Sequence, residues 1–106
     1  MTPKNRMRPI HPGEILREEF LAPLGLSANQ LALRLRVPAN RVTAILNGTR
    51  GVTAETALRL SRCLGTTADF WMTLQVTYEL RMAEEAFGAR IAQDVQPANK
   101  PRAAPR

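Results

Sequence analysis

The chain holds one cysteine and one histidine in 106 residues, and that shortage removes most catalytic and metal-binding chemistries. Cys63 has no partner for an internal disulfide. It stands within a helical pattern with no base placed to activate it, so it reads as a small packed hydrophobe. His11 lacks a second ligand at usable spacing and reads as a capping or surface residue. No glycine-rich phosphate loop is present, and no cluster of His, Cys and carboxylates has metal spacing. The adjacent pairs Glu18-Glu19 and Glu84-Glu85 point in different directions on a helix and read as surface charge. No apolar run approaches the length of a membrane span, and the start MTPKNRMRPIHPG lacks the apolar stretch of a signal peptide. An enzyme is not expected and no cofactor is implied. With a single cysteine, the expected compartment is a reducing cytoplasm.

What is present suits one small helical domain with tails. A hydrophobic content of 44% supports a core, although a domain this small is marginal alone and gains from oligomerisation. The net charge of +6 is unevenly placed. Residues 1–10 carry +3 and residues 88–106 carry +3, which leaves the middle neutral overall. Within it, residues 34–62 hold six arginines against Glu55 alone, whereas residues 11–33 sum to −2 and residues 63–87 to −3. Such a basic stretch backed by acidic ones is the footprint of a nucleic-acid face beside a differently employed surface.

The stretch SANQLALRLRVPANRVTAILNG, residues 27–48, lies inside the basic region. Ser27 and Gln30 have the spacing of a capping box, and Leu31, Ala32 and Leu35 then share one helical face. Pro38 suits the start of a second helix and discourages continuation of the first. Val42, Ile45 and Leu46 form the second apolar stripe, and Asn47-Gly48 supplies a stop. Two short helices about a tight turn make a helix-turn-helix, whose second helix enters the major groove of double-stranded DNA. Opposite its stripe stand Asn40, Thr43, Ala44 and Asn47. These side chains are short enough for deep docking, and an Asn can pair with the edge of adenine while Thr and Ala methyls touch thymine. Ser27, Ala28, Arg36, Arg41 and Arg50 are the candidates for the DNA backbone. Arg36 occupies the turn position where glycine is usual. A left-handed turn there costs a side chain on the order of 1 kcal/mol.

The remaining chain reads as three more helices. His11-Pro12-Gly13-Glu14 starts the first, with Ile15, Leu16 and Phe20 inward and Pro23 and Gly25 as its stop. Thr53 caps the fourth, in which Ala57, Leu58, Leu60 and Leu64 pack against the motif, and Gly65 ends it. Thr66 and Asp69 cap the fifth, predicted from about Thr67 to Phe87. Phe70, Trp71, Leu74 and Tyr78 cluster on one side of this helix. Met72, Val76, Leu80, Ala83 and Phe87 lie nearly opposite, with nothing left in the chain to cover them, so they predict a partner surface. The division is then a flexible basic arm (1–10), a helical domain (11–87) and a flexible Pro/Arg-rich basic tail (88–106).

Residues 27–48 resemble the helix-turn-helix of the phage-repressor/Cro group. The wider pattern, HPGEILREEFLAPLGLS at 11–27 and NGTRGVTAETALRLSRCLGTTADFWMTLQVTYEL at 47–80, resembles the HigA antitoxins. The resemblance covers about residues 8–85. It implies an all-α, five-helix, lambda-repressor-like domain that dimerises and binds a palindromic operator at its own promoter. It also implies neutralisation of a RelE-like ribonuclease toxin. Arg36 and Ala28 depart from the wider pattern and bear on DNA contacts rather than on the fold. A toxin that grips RNA is expected to be basic and to approach the acidic segments, at Glu14, Glu18, Glu79 and Glu84. The rival readings are a solitary regulator without a toxin and an interaction module whose helix-turn-helix binds protein.

Overall fold

The computed structural model describes residues 8–98, and these form five helices and no strand. The arm before Arg8 and the tail after Ala98 lie outside the described residues.

Helix α1 covers residues 12–24. It starts as an α-helix over Pro12–Ile15, widens to i→i+5 pairing over Leu16–Leu21 and closes as an α-helix over Ala22–Leu24. The widening runs up to Pro23, which has no amide hydrogen for the Glu19 carbonyl and whose ring would crowd it in a regular helix. Gly25 then takes the left-handed conformation, φ 68°, and ends the helix. Helix α2, Ala28–Leu35, opens on a complete capping box. The Ser27 hydroxyl accepts the Gln30 N–H at 3.1 Å, and Gln30 Oε1 accepts the Ser27 N–H at 2.9 Å. It closes at Arg36 with φ 61°, the only non-glycine with positive φ among the described residues. The turn therefore keeps its left-handed form without glycine. The Val37 N–H reaches back to the Ala32 carbonyl and the Arg36 N–H to the Leu33 carbonyl.

Helix α3, Ala39–Leu46, follows Pro38, and α4, Ala54–Leu64, is capped by Thr53 and ended by left-handed Gly65. Helix α5 runs over Ala68–Asp94. Its cap is Thr67, whose hydroxyl accepts the Phe70 N–H at 3.0 Å, and not Thr66 as the sequence predicts. The Thr66 hydroxyl instead accepts the indole N–H of Trp71 at 2.7 Å, because a fully buried indole needs an acceptor. The helix also passes the predicted end at Phe87. Gly88 costs it only about 1 kcal/mol, too little to end it, the residues beyond are mostly good helix formers, and Pro97 is the next residue unable to continue a helix.

The core is drawn from every helix: Leu16 and Leu21 of α1, Leu31, Ala32 and Leu35 of α2, Val42 and Ile45 of α3, Ala57 and Leu60 of α4 and Trp71 of α5. Val52 joins it from the loop after α3. Leu58, predicted to pack inward, is 62% exposed, because Ala57 and Leu60 set the inner face and Leu58 falls to its flank. Phe20, Phe70 and Trp71 pack tilted or edge to face, with centroids 5.0–6.2 Å apart. Helix α5 rests on α4 and on the start of α1. From Met82 to Ala98 every residue but Gly88 is exposed, so its second half leaves the body unpartnered.

Candidate nucleic-acid interface

On α3 the predicted reading residues Asn40, Thr43 and Asn47 are exposed and Ala44 is half-buried beneath them, opposite buried Val42 and Ile45. The structure thus brings all four to one outward face. The Thr43 hydroxyl donates back to the Ala39 carbonyl at 3.2 Å, and Asn47 is the last turn's cap.

The far end of this helix has no orphaned carbonyl. The Thr43 carbonyl takes the Asn47 N–H, and that of Ala44 takes the N–H groups of Thr49 and Arg50 together with the Thr49 hydroxyl. The Ile45 carbonyl takes the Gly48 N–H, and that of Leu46 takes the Arg17 guanidinium at 2.9 Å. A helix end left with four free acceptors would fray, and this one is tied to its loop and to α1.

The HPGE segment explains the last tie. Gly13 is buried so close to α3 that an added Cβ would stand 1.9 Å from the Ile45 carbonyl oxygen. Only glycine lets α1 start there. His11 caps α1 by accepting the Gly13 N–H on Nδ1 at 2.9 Å, and its ring meets Tyr78 of α5 edge-on at 4.9 Å. Burial pushes the His11 pKa down, partly offset by a hydrogen bond with the Arg50 backbone. A second brace lies on the other side of the loop. Buried Gln75 of α5 accepts the Val52 N–H at 2.7 Å and donates to Glu79 at 2.8 Å. A Cβ on Gly51 would stand 2.6 Å from the Gln75 amide.

The predicted backbone contacts are placed unequally. Arg50 is exposed at the end of α3, with its amide anchored on Ala44. Arg41 is turned to Glu55 at 3.3 Å, and Glu55 also holds Arg59 at 2.9 Å. These cations, Arg59 foremost, keep the Glu55 carboxyl below its usual range. Arg59 also donates to the Leu35 carbonyl at 2.8 Å, so one cluster ties α2, α3 and α4 together. Ser27 is exposed and spends its oxygen on the α2 cap, with half-buried Ala28 beside it. Arg36 is exposed on the side of α2 and α4, where it lines a groove that includes no α3 residue.

A braced helix with short polar residues outward has the shape that enters a major groove. Residues 16–71 match the Helix-turn-helix family. Antitoxin HigA-1 of Vibrio cholerae is 39% identical over 89 residues, which cover 78% of this chain and 83% of that one. A HigA-family addiction-module antidote protein of Coxiella burnetii superposes with a TM-score of 0.81 at 56% identity, over 85% of this chain and 98% of the other. Antitoxin HigA of Pseudomonas aeruginosa, solved with the higBA promoter, superposes with a TM-score of 0.84 at 46% identity, over 87% of this chain and all of the other. The chain belongs to the HigA family of helix-turn-helix antitoxins.

In this HigA-family chain the sequence reading found the outward residues of α3 but missed the residues that hold the helix. Gly13 looks only costly in a helix start, and Arg17 looks like one more surface charge. Gln75 carries a faint signal, a polar residue within an otherwise apolar inner face. HigA-family membership places the chain among DNA-binding regulators rather than enzymes. Among the described residues no helix is long and apolar enough to cross a membrane.

Proposed function

We propose that this chain is the antitoxin of a type II toxin-antitoxin module, binding a palindromic operator as a homodimer, repressing its own operon and neutralising a RelE-like ribonuclease toxin in the cytoplasm. The observation that carries the reading is the exposed, doubly braced face of α3, with Asn40, Thr43, Ala44 and Asn47 as base readers. The Pseudomonas aeruginosa relative with its promoter supports it. Arg50, Ser27 and Ala28 serve the backbone of the DNA. Arg41 and Arg36 serve it less directly, the first through its place beside Glu55 and the second at the rim of another face.

Two reading helices on one palindrome must be related by a two-fold axis, their half-sites about 34 Å apart. Helix α5 carries the surface for that. Val76, Leu80 and Phe87 are 50%, 58% and 48% exposed, half-buried Met72 and exposed Ala83 share their stripe, and Ile91 prolongs it at 53%. For the toxin, the acidic segments of α1 and α5 are the approach. Arg8 occupies Glu14 through two hydrogen bonds at 3.0 Å, and Gln75 donates to Glu79, which leaves Glu18 and Glu84 as the freer charges.

Val76→Asp with Leu80→Asp is expected to give a soluble monomer by sedimentation with weakened operator binding, because a buried unpaired charge is expensive. Wild type is expected to co-purify with the product of the adjacent reading frame and to rescue growth against it. A variant that still sediments as a dimer moves the interface elsewhere. Failure to capture or neutralise the neighbouring product leaves a solitary regulator.

A further inference from the structure

The C-terminal end of α2 and the outer side of α4 flank an open groove of about 740 Å3. Leu33 and Leu58 stand on its two sides, 74% and 62% exposed. Exposed Arg34, Arg36 and Arg62 line it with them, and none of the three forms an ion pair among the described residues. No carboxylate lines the groove, and Arg59, which does, is spent on Glu55 and the Leu35 carbonyl.

A single exposed leucine needs no explanation. Two on one groove, between cations that repel one another, call for an occupant that is apolar and anionic together. A DNA backbone would use the arginines and leave both leucines in water. A segment with apolar side chains on one face and carboxylates beside them would bury the leucines and pair with the guanidinium groups, which suit carboxylates in a two-pronged geometry. We propose that the α2–α4 groove docks an acidic amphipathic peptide segment of a protein partner, its apolar side chains on Leu33 and Leu58 and its carboxylates on Arg34, Arg36 and Arg62. Apart from Arg36, which stands at the rim shared with the DNA side, the surface is separate from the α3 reading face and from the α5 stripe, and the test variants leave Arg36 in place, so the proposal does not depend on operator or toxin.

The probe is a labelled four-turn helical peptide with leucines along one face and glutamates on its flanks, compared with a peptide of equal charge in which serine replaces leucine. Both are titrated by fluorescence anisotropy against the full chain. The leucine peptide should bind at least about tenfold more tightly, since burial of two leucines exceeds that ratio. Leu33→Ser with Leu58→Ser should abolish the difference. Arg34→Gln with Arg62→Gln should weaken both peptides, most at low salt. All four positions are exposed, and an unchanged thermal transition confirms folding, while Asn40→Ala should leave peptide binding intact. Equal affinity for the two peptides, or affinity unchanged in both double variants, overturns the proposal. So does a result in which the arginine variant loses affinity for a random DNA duplex while neither double variant changes peptide binding, because the groove would then be a nucleic-acid surface.

Discussion

Replacing Gly13 with alanine sets two effects of opposite sign against each other. In an open helix the change stabilises by roughly 0.5–1 kcal/mol, because alanine loses less backbone freedom on folding. At Gly13 the new Cβ would stand 1.9 Å from the Ile45 carbonyl oxygen and 2.8 Å from its carbon. That neighbour is backbone and cannot rotate away, so the start of α1 must back off from α3, loosening the His11 cap and the Arg17 tie. Forced overpacking costs about 1–3 kcal/mol. Because the neighbour is backbone the cost lies toward the upper end, about 2–3 kcal/mol, so overpacking wins with a net loss of about 1–2.5 kcal/mol, or roughly 4–20 °C in Tm for a domain of this size. Gly88→Ala provides the contrast, since its Cβ would meet only the Glu84 Cβ at 3.9 Å. There the propensity gain stands alone and Tm should rise by about 2–8 °C. The assay is thermal unfolding by circular dichroism at one fixed protein concentration, because self-association shifts the apparent Tm. If Gly13→Ala raised Tm as Gly88→Ala does, α1 and α3 would not meet as described and the role given to HPGE would be wrong.

Arg36→Gly should stabilise by up to about 1 kcal/mol in the same assay, since φ 61° costs glycine nothing; a lower Tm would mean that the Arg36 side chain supports the fold. His11 ties pH to stability. Its folded pKa lies below the ordinary 6.5, so the unfolded chain takes the proton more readily and stability falls as pH drops from that value toward the folded one. His11→Asn keeps a capping oxygen without titrating, and should lose less Tm than wild type between pH 7.5 and pH 5; equal losses would refute the assignment.

The helix-turn-helix was legible because its signals are local. The Ser27–Gln30 box, Pro38, the apolar spacing and Gly48 each act within a turn or two of themselves, and the structure keeps all of them. The left-handed Arg36 was legible only as a condition, because the residue there opposes a turn that its neighbours impose. What escaped depends on contacts distant in sequence. Nothing near Gly13 announces that the Ile45 carbonyl fills the space a side chain would need. Gln75 is 23 residues from the Val52 amide that it satisfies. Thr66 and Thr67 both fit a cap, and the buried Trp71 indole claims the first and so leaves the second. The Pro/Arg-rich composition after Phe87 sets the predicted end of α5 there, yet the run to Asp94 continues the α5 stripe through Ile91. Leu58 shows the reverse error, since periodicity cannot tell the flank of an apolar face from its centre.

The claim that α3 reads the operator is tested most directly by titrating wild type, Asn40→Ala and Arg50→Ala against the promoter of the chain's own operon and against a random duplex, over a range of salt. Asn40→Ala should cost about 1–3 kcal/mol on the operator and little on random DNA, because it removes a base contact. Arg50→Ala should weaken both duplexes alike and flatten the dependence of log K on log salt by about one unit. Operator affinity unchanged in Asn40→Ala would contradict the docking of α3 in the major groove.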